Sequence, residues 1–171
     1  MSKKDINAKF DEKIKELEDK LPKLKDANCS ELTLTSVLDI LGVDNYLFHN
    51  LAIPLAGGFG GYKSAKEWQG ACGAVSGGCA AIGVIMGGHE KMNSDMIPMA
   101  YLKAAKYATE FEKKFSSVVC RDLCSYDFSA PNGYIEYSKN KIWGKKCYKY
   151  VVWAVDEVRN ITKRDLKKNW E

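Results

Sequence analysis

Six cysteines stand in 171 residues, at Cys29, Cys72, Cys79, Cys120, Cys124 and Cys147, and no two of them form a Cys-x-x-Cys pair. A zinc knuckle or a haem-attachment site is built on such a local pair. Any chemistry these thiols share must therefore be assembled by the tertiary fold. In a reducing compartment cysteines stay free, so six of them favour metal ligation or thiol redox chemistry over structural disulfides.

Several of the six have a setting that stabilises a thiolate, the form that binds metal or attacks a disulfide. Cys29 follows Asn28 in Asn28-Cys29-Ser30-Glu31. Asn28 is a cap residue, and Glu31 is placed to reach back to the cap amide. Cys29 then sits in the first turn of a helix, where free amides and the helix dipole favour negative charge, with Lys25 close in sequence. Cys120 is followed by Arg121, and Cys147 is preceded by Lys145 and Lys146. Cys72 and Cys79 are seven apart, about 10 Å along one helix at ~1.5 Å per residue, which excludes a disulfide between them. Cys120 and Cys124 are four apart and share one helical turn, as a local redox pair or as one ligand and a spare. Taken singly, each cysteine also reads as a small buried residue.

Other chemistries lack their residues. The two histidines, His49 and His89, have no metal-ligand spacing. Gly57-Gly58-Phe59-Gly60-Gly61 is neither a dinucleotide fingerprint nor a phosphate loop, because Lys63-Ser64 falls outside that spacing. No carboxylate pair stands out from the lysine-rich helix faces. The net charge of +4, from 26 basic and 22 acidic residues, is spread along helices, so no nucleic-acid footprint is expected. The start of the chain has no apolar signal core and no run nears the ~20 apolar residues of a membrane span, so we expect a cytoplasmic chain without membrane insertion.

Apolar spacing predicts helices almost throughout. Ile6, Phe10, Ile14, Leu17 and Leu21 form one stripe ending before Pro22. A helix runs from Asn28 to about Leu41, closed by Gly42, and another from Asp44 through Leu55, bent at Pro54. Gln69 to Met86 reads as a core helix whose Gly73, Gly77, Gly78 and Gly83 each cost roughly 0.5–1 kcal/mol. Something must pack closely there, either a crossing helix or a cofactor beside Cys72. Ser94 to Ser116 carries Ile97, Tyr101, Ala104, Ala108, Phe111 and Phe115. Residues 125 to 144 read as a long loop, with a short extended stretch at Gly133 to Tyr137, before a last helix from Lys145 to Lys167. The expectation is one all-α domain, a bundle of about five to six helices with a long loop before the C-terminal one. Residues 1–27 supply an amphipathic helix and linker, and residues 28–171 the cysteine-bearing part.

The ordered set Asn28-Cys29, Ala56-Gly57-Gly58-Phe59-Gly60-Gly61, Ala71-Cys72-Gly73-Ala74-Val75-Ser76-Gly77, Phe115, Cys120-Arg121-Asp122-Leu123 and Cys147 resembles the redox-active family named for a Cys, Gly-Cys-Ala-x-x-Gly, Cys, Cys pattern. The likeness covers about residues 28 to 160. It implies four family cysteines, mapped to Cys29, Cys72, Cys120 and Cys147. Through similarity to the cluster-bearing part of split-Soret cytochromes, it also implies an iron–sulfur centre of the 2Fe-2S kind with those four as ligands. Gly78-Cys79-Ala80-Ala81-Ile82-Gly83 also spells the named pattern, so Cys79 competes with Cys72 for that place. The role implied is electron transfer or redox sensing with an oxidoreductase as redox partner; the sequence leaves a homodimer open. Alternatives from the residues are thiol–disulfide exchange, with Cys29 attacking and Cys72, Cys120 or Cys147 resolving, and a zinc-bound or metal-free interaction module.

Overall fold

The computed structural model describes residues 5–25, 27–44, 46–66 and 68–171. It contains eight right-handed α-helices and no strand among the described residues, slightly more helices than the spacing predicts. In chain order they are α1 (Ile6–Lys20), α2 (Cys29–Leu41), α3 (Tyr46–Ala52), α4 (Gly73–Gly87), α5 (Ile97–Phe115), α6 (Cys120–Cys124), α7 (Gly133–Lys139) and α8 (Tyr148–Asn169).

Helix α4 is the axis. It buries Ala74, Val75, Ala81, Ile82, Ile85 and Met86, and α2, α5 and α8 pack around it while α1 lies along α8. Ile6, Phe10, Leu17 and Leu21 join the same hydrophobic core as Val151, Val155 and Val158 of α8. Two of the α4 glycines are explained by crossing elements. A Cβ at Gly77 would collide with the Ser30 carbonyl of α2, and one at Gly78 with the Tyr107 ring of α5. Helix packing therefore accounts for both, and the Tyr107 hydroxyl seals the contact by donating to the Ala74 carbonyl at 2.7 Å.

Local signals set the helix ends. The Asn28 side chain accepts from the Ser30 and Glu31 amides at 3.1 and 3.0 Å, and Gly42 closes α2 at φ 74°. Glu31 does not fold back on the cap; its carboxylate meets His49 Nδ1 at 2.8 Å, because α3 brings a better partner. The α5 stripe is also shifted: Tyr107 and Phe111 are its buried residues, while Ile97 and Tyr101 are exposed. Helix α4 begins at Gly73 rather than Gln69, which makes Cys72 its N-cap residue. The expected loop at 125–144 is also corrected: it contains α7, and the stretch expected to be extended at Gly133 to Tyr137 is helical.

Candidate thiol site

Three short devices bring distant cysteines to one place. The first is a pairing of Gly70–Cys72 with Val118–Cys120. An isolated antiparallel bridge joins Ala71 and Val119, the Cys72 amide donates to the Val118 carbonyl at 2.7 Å, and the Cys120 amide to the Gly70 carbonyl at 3.2 Å. The second is a left-handed turn over Gly57–Gly61, in which Phe59 also has positive φ. Four glycines adopt this hand freely, whereas an L-residue such as Phe59 is strained by roughly 1–2 kcal/mol. The chain leading into the turn is fastened to both neighbouring helices. Ser76 Oγ donates to the Leu55 carbonyl at 3.0 Å and Asn28 Nδ2 to the Ile53 carbonyl at 3.0 Å. The third is a π-helical turn, Trp143–Cys147, that leads into α8 and carries Cys147.

Around these devices lies a cavity of about 420 Å³ lined by Cys29, Cys72, Cys120, Cys124 and Cys147, with Phe128, Tyr137, Trp143 and Tyr150 among its aromatic walls. All six cysteines are free thiols. The four cysteines singled out by the family likeness all face this cavity, and Cys124, left aside as a spare, faces it too. Cys79 does not line it. That thiol sits within α4, half-buried, pushed up to about 11 by burial. The signal that could have placed Cys124 was its four-residue spacing from Cys120.

The thiols are hydrogen-bonded in a definite order. Cys72 shares its proton with Cys29, and the amides of Gly57, Gly73 and Cys29 itself also point at the Cys29 sulfur. Together they hold Cys29 down at about 7 against the opposing effect of burial. Cys72, the donor and buried, is raised well above the ordinary thiol range. Lys25 is not among these causes; backbone amides supply the positive field. Cys120 and Cys124 repeat the arrangement. Cys120 donates and is pushed up, while Cys124 is lowered to about 7 by that bond, by the Tyr126 amide and by Lys146. Cys147 is raised to about 12, chiefly by burial, with a hydrogen bond from Tyr137 opposing it.

Two thiols lowered to about 7 have a pH signature in the metal-free chain. Between about pH 6 and pH 8 the folded state gives up protons at Cys29 and Cys124 that the unfolded thiols still hold, so stability should rise with pH across that window. Alkylation by iodoacetamide should likewise accelerate at Cys29 through about pH 7, while Cys79, raised to about 11, stays slow. Mass-spectrometric labelling rates for the two residues check this; equal profiles would contradict the assigned bonding.

Among the described residues, no group of three or more His, Cys, Asp or Glu side chains stands close enough to hold one metal ion. The thiols instead influence one another in two pairs, Cys29 with Cys72 and Cys120 with Cys124. Among the described residues, too, no helix is long and apolar enough to cross a membrane.

Helices wrap around a largely apolar cavity that carries five thiols on its wall. The chain belongs to the family described as "Putative redox-active protein (C_GCAxxG_C_C)", which matches residues 27–161. No curated protein and no solved structure matches it.

Proposed function

We propose that the protein is an electron-transfer or redox-sensing component that holds an iron–sulfur cluster of the 2Fe-2S kind through Cys29, Cys72, Cys120 and Cys147. The observation that carries this reading is the gathering of these four thiols, from four separate parts of the chain, on the wall of a single cavity of about 420 Å³. The donor set fits the group. Each iron of such a cluster takes two thiolates, so the ligands need not converge on one point, and four sulfurs suffice. A single zinc ion finds no such support, because no three candidate ligands meet among the described residues.

Bound there, the group would supply a one-electron couple. The chain's own contribution is to exclude water with Phe128, Trp143 and Tyr150 and to aim amides at sulfur from Gly57 and Gly73 at Cys29 and from Ala74 at Cys72. Amide hydrogen bonds and burial are the levers that set the potential of a sulfur-ligated iron site. An oxidoreductase is the partner this role requires.

Anaerobic reconstitution with ferrous iron and sulfide tests the reading. The expected product is brown, with about two iron and about two acid-labile sulfide per chain. A colourless, iron-free product overturns it.

The direct contact between Cys29 and Cys72, with Cys29 lowered to about 7, favours one second reading, thiol–disulfide exchange. Cys29 thiolate would attack a low-molecular-weight disulfide and release one thiolate. Cys72 would then displace the second, leaving a Cys29–Cys72 disulfide and two reduced product thiols. Reversible loss of two hydrogens at this pair, in protein that takes up no iron, would select this reading over the first.

A further inference from the structure

A 2Fe-2S cluster takes four thiolates, and the cavity presents five. The surplus residue, Cys124, is not a bystander at the rim. It is buried, it closes the one-turn helix α6 that Cys120 opens, and it lines the cavity together with Cys120. Cys29 and Cys72 form a second pair whose thiols act on one another's protonation. Cys120 and Cys124 open and close the same helical turn and both line the cavity, so either sulfur of that turn faces the space a cluster would fill. Cys147, by contrast, is bonded to the Tyr137 hydroxyl rather than to a second thiol.

The Cys124 sulfur is also furnished as a ligand sulfur would be. The Tyr126 amide donates to it at 3.4 Å. Lys146, whose Nζ lies 3.4 Å from Ser125 Oγ, provides positive charge to both Cys124 and Cys147. A thiolate at either position therefore meets the same cation.

We propose that Cys124 is a fifth thiolate donor that replaces Cys147 when that ligand is withdrawn, so that the site holds its cluster through either of two ligand sets. This rests on the cluster reading above. Its value to a redox site is that one ligand position can exchange without loss of the iron.

The test compares reconstituted parent, C147S, C124S, the C124S/C147S double variant and C79S, with iron, sulfide, visible absorption and electron paramagnetic resonance as readouts. C147S should keep at least half of the parent's iron and sulfide with a shifted spectrum. The double variant should lose more than about nine-tenths of both, and C79S should match the parent. C124S should load like the parent but release iron to a chelator several-fold faster, because the exchanging ligand is gone. This last arm decides the matter if C147S loses its helical circular dichroism. A folded C147S without iron, a double variant that still loads, or a C124S that releases iron at the parent's rate each overturns the proposal while the loaded parent leaves the cluster reading standing. A parent that takes up no iron removes both.

Discussion

Substituting Gly70 by alanine should cost about 3 kcal/mol or more and pull Cys120 away from Cys72. A Cβ at Gly70 would overlap the carbonyl oxygen, carbon and Cα of Gly58. All three are backbone atoms, so no side-chain rotation relieves the clash. Gly58 is itself fixed by the left-handed turn, where the Gly60 amide donates to the Ala56 carbonyl and the Tyr62 amide to the Gly58 carbonyl, each at 3.1 Å. The segment that has to move is the one around Gly70, whose carbonyl holds the Cys120 amide and whose amide reaches the Tyr62 carbonyl at 3.3 Å. Gly83→Ala is the contrast. Nothing lies within 4 Å of a Cβ there, so an alanine in that helix interior should add about 0.5–1 kcal/mol of stability. Urea midpoints for the two variants should move in opposite directions. A Gly70→Ala midpoint equal to the parent's would mean that the turn yields freely and does not fix the site.

The same contact explains what could and could not be read from the sequence. The setting of Cys29 was legible because a cap is local: Asn28, Cys29 and the first-turn amides lie within four residues. The α1 and α8 stripes were legible for a similar reason, because residues such as Phe10, Leu17, Val151 and Val158 recur at helical spacing. Local pattern also pointed to a close neighbour along α4, but not to which glycines would meet one, and Gly83 meets none. Ser30 and Tyr107 lie far off in the chain, and only the fold brings them to Gly77 and Gly78. Helix α7 was hidden by Pro131, Asn132 and Gly133, which punctuate a loop and here open a helix instead. The run Gly57–Gly61 is neither a dinucleotide fingerprint nor a phosphate loop, and nothing local announces its left-handed turn, which packs against Gly70 and Phe128, residues outside any local window. The common wall shared by five thiols is likewise a property of contacts between segments, and only the family likeness anticipated four of them.

Trp143→Ala should cost about 3–5 kcal/mol and expose Cys147, because this side chain fastens the N-terminal segment to the thiol cavity. Trp143 is buried, lines the cavity, and donates from Nε1 to the Leu21 carbonyl at 2.6 Å. Its neighbour Gly144 lies so close to the same segment that a Cβ there would stand 2.7 Å from the Pro22 carbonyl oxygen. These contacts hold the π-helical turn from Trp143 to Cys147 against residues 21–22, and with it the position of the Cys147 sulfur. Removing the indole leaves a void beside that sulfur and lets solvent in. Trp143→Phe separates the two contributions: it keeps most of the ring volume and forfeits the hydrogen bond, worth about 1 kcal/mol. The expected order of unfolding midpoints is parent, then Trp143→Phe, then Trp143→Ala. In the metal-free folded protein, Cys147 labelling by iodoacetamide should rise sharply only in the alanine variant. Should Cys147 stay as protected there as in the parent, the turn must be held by α8 alone, and the N-terminal helix would have no part in shaping the site.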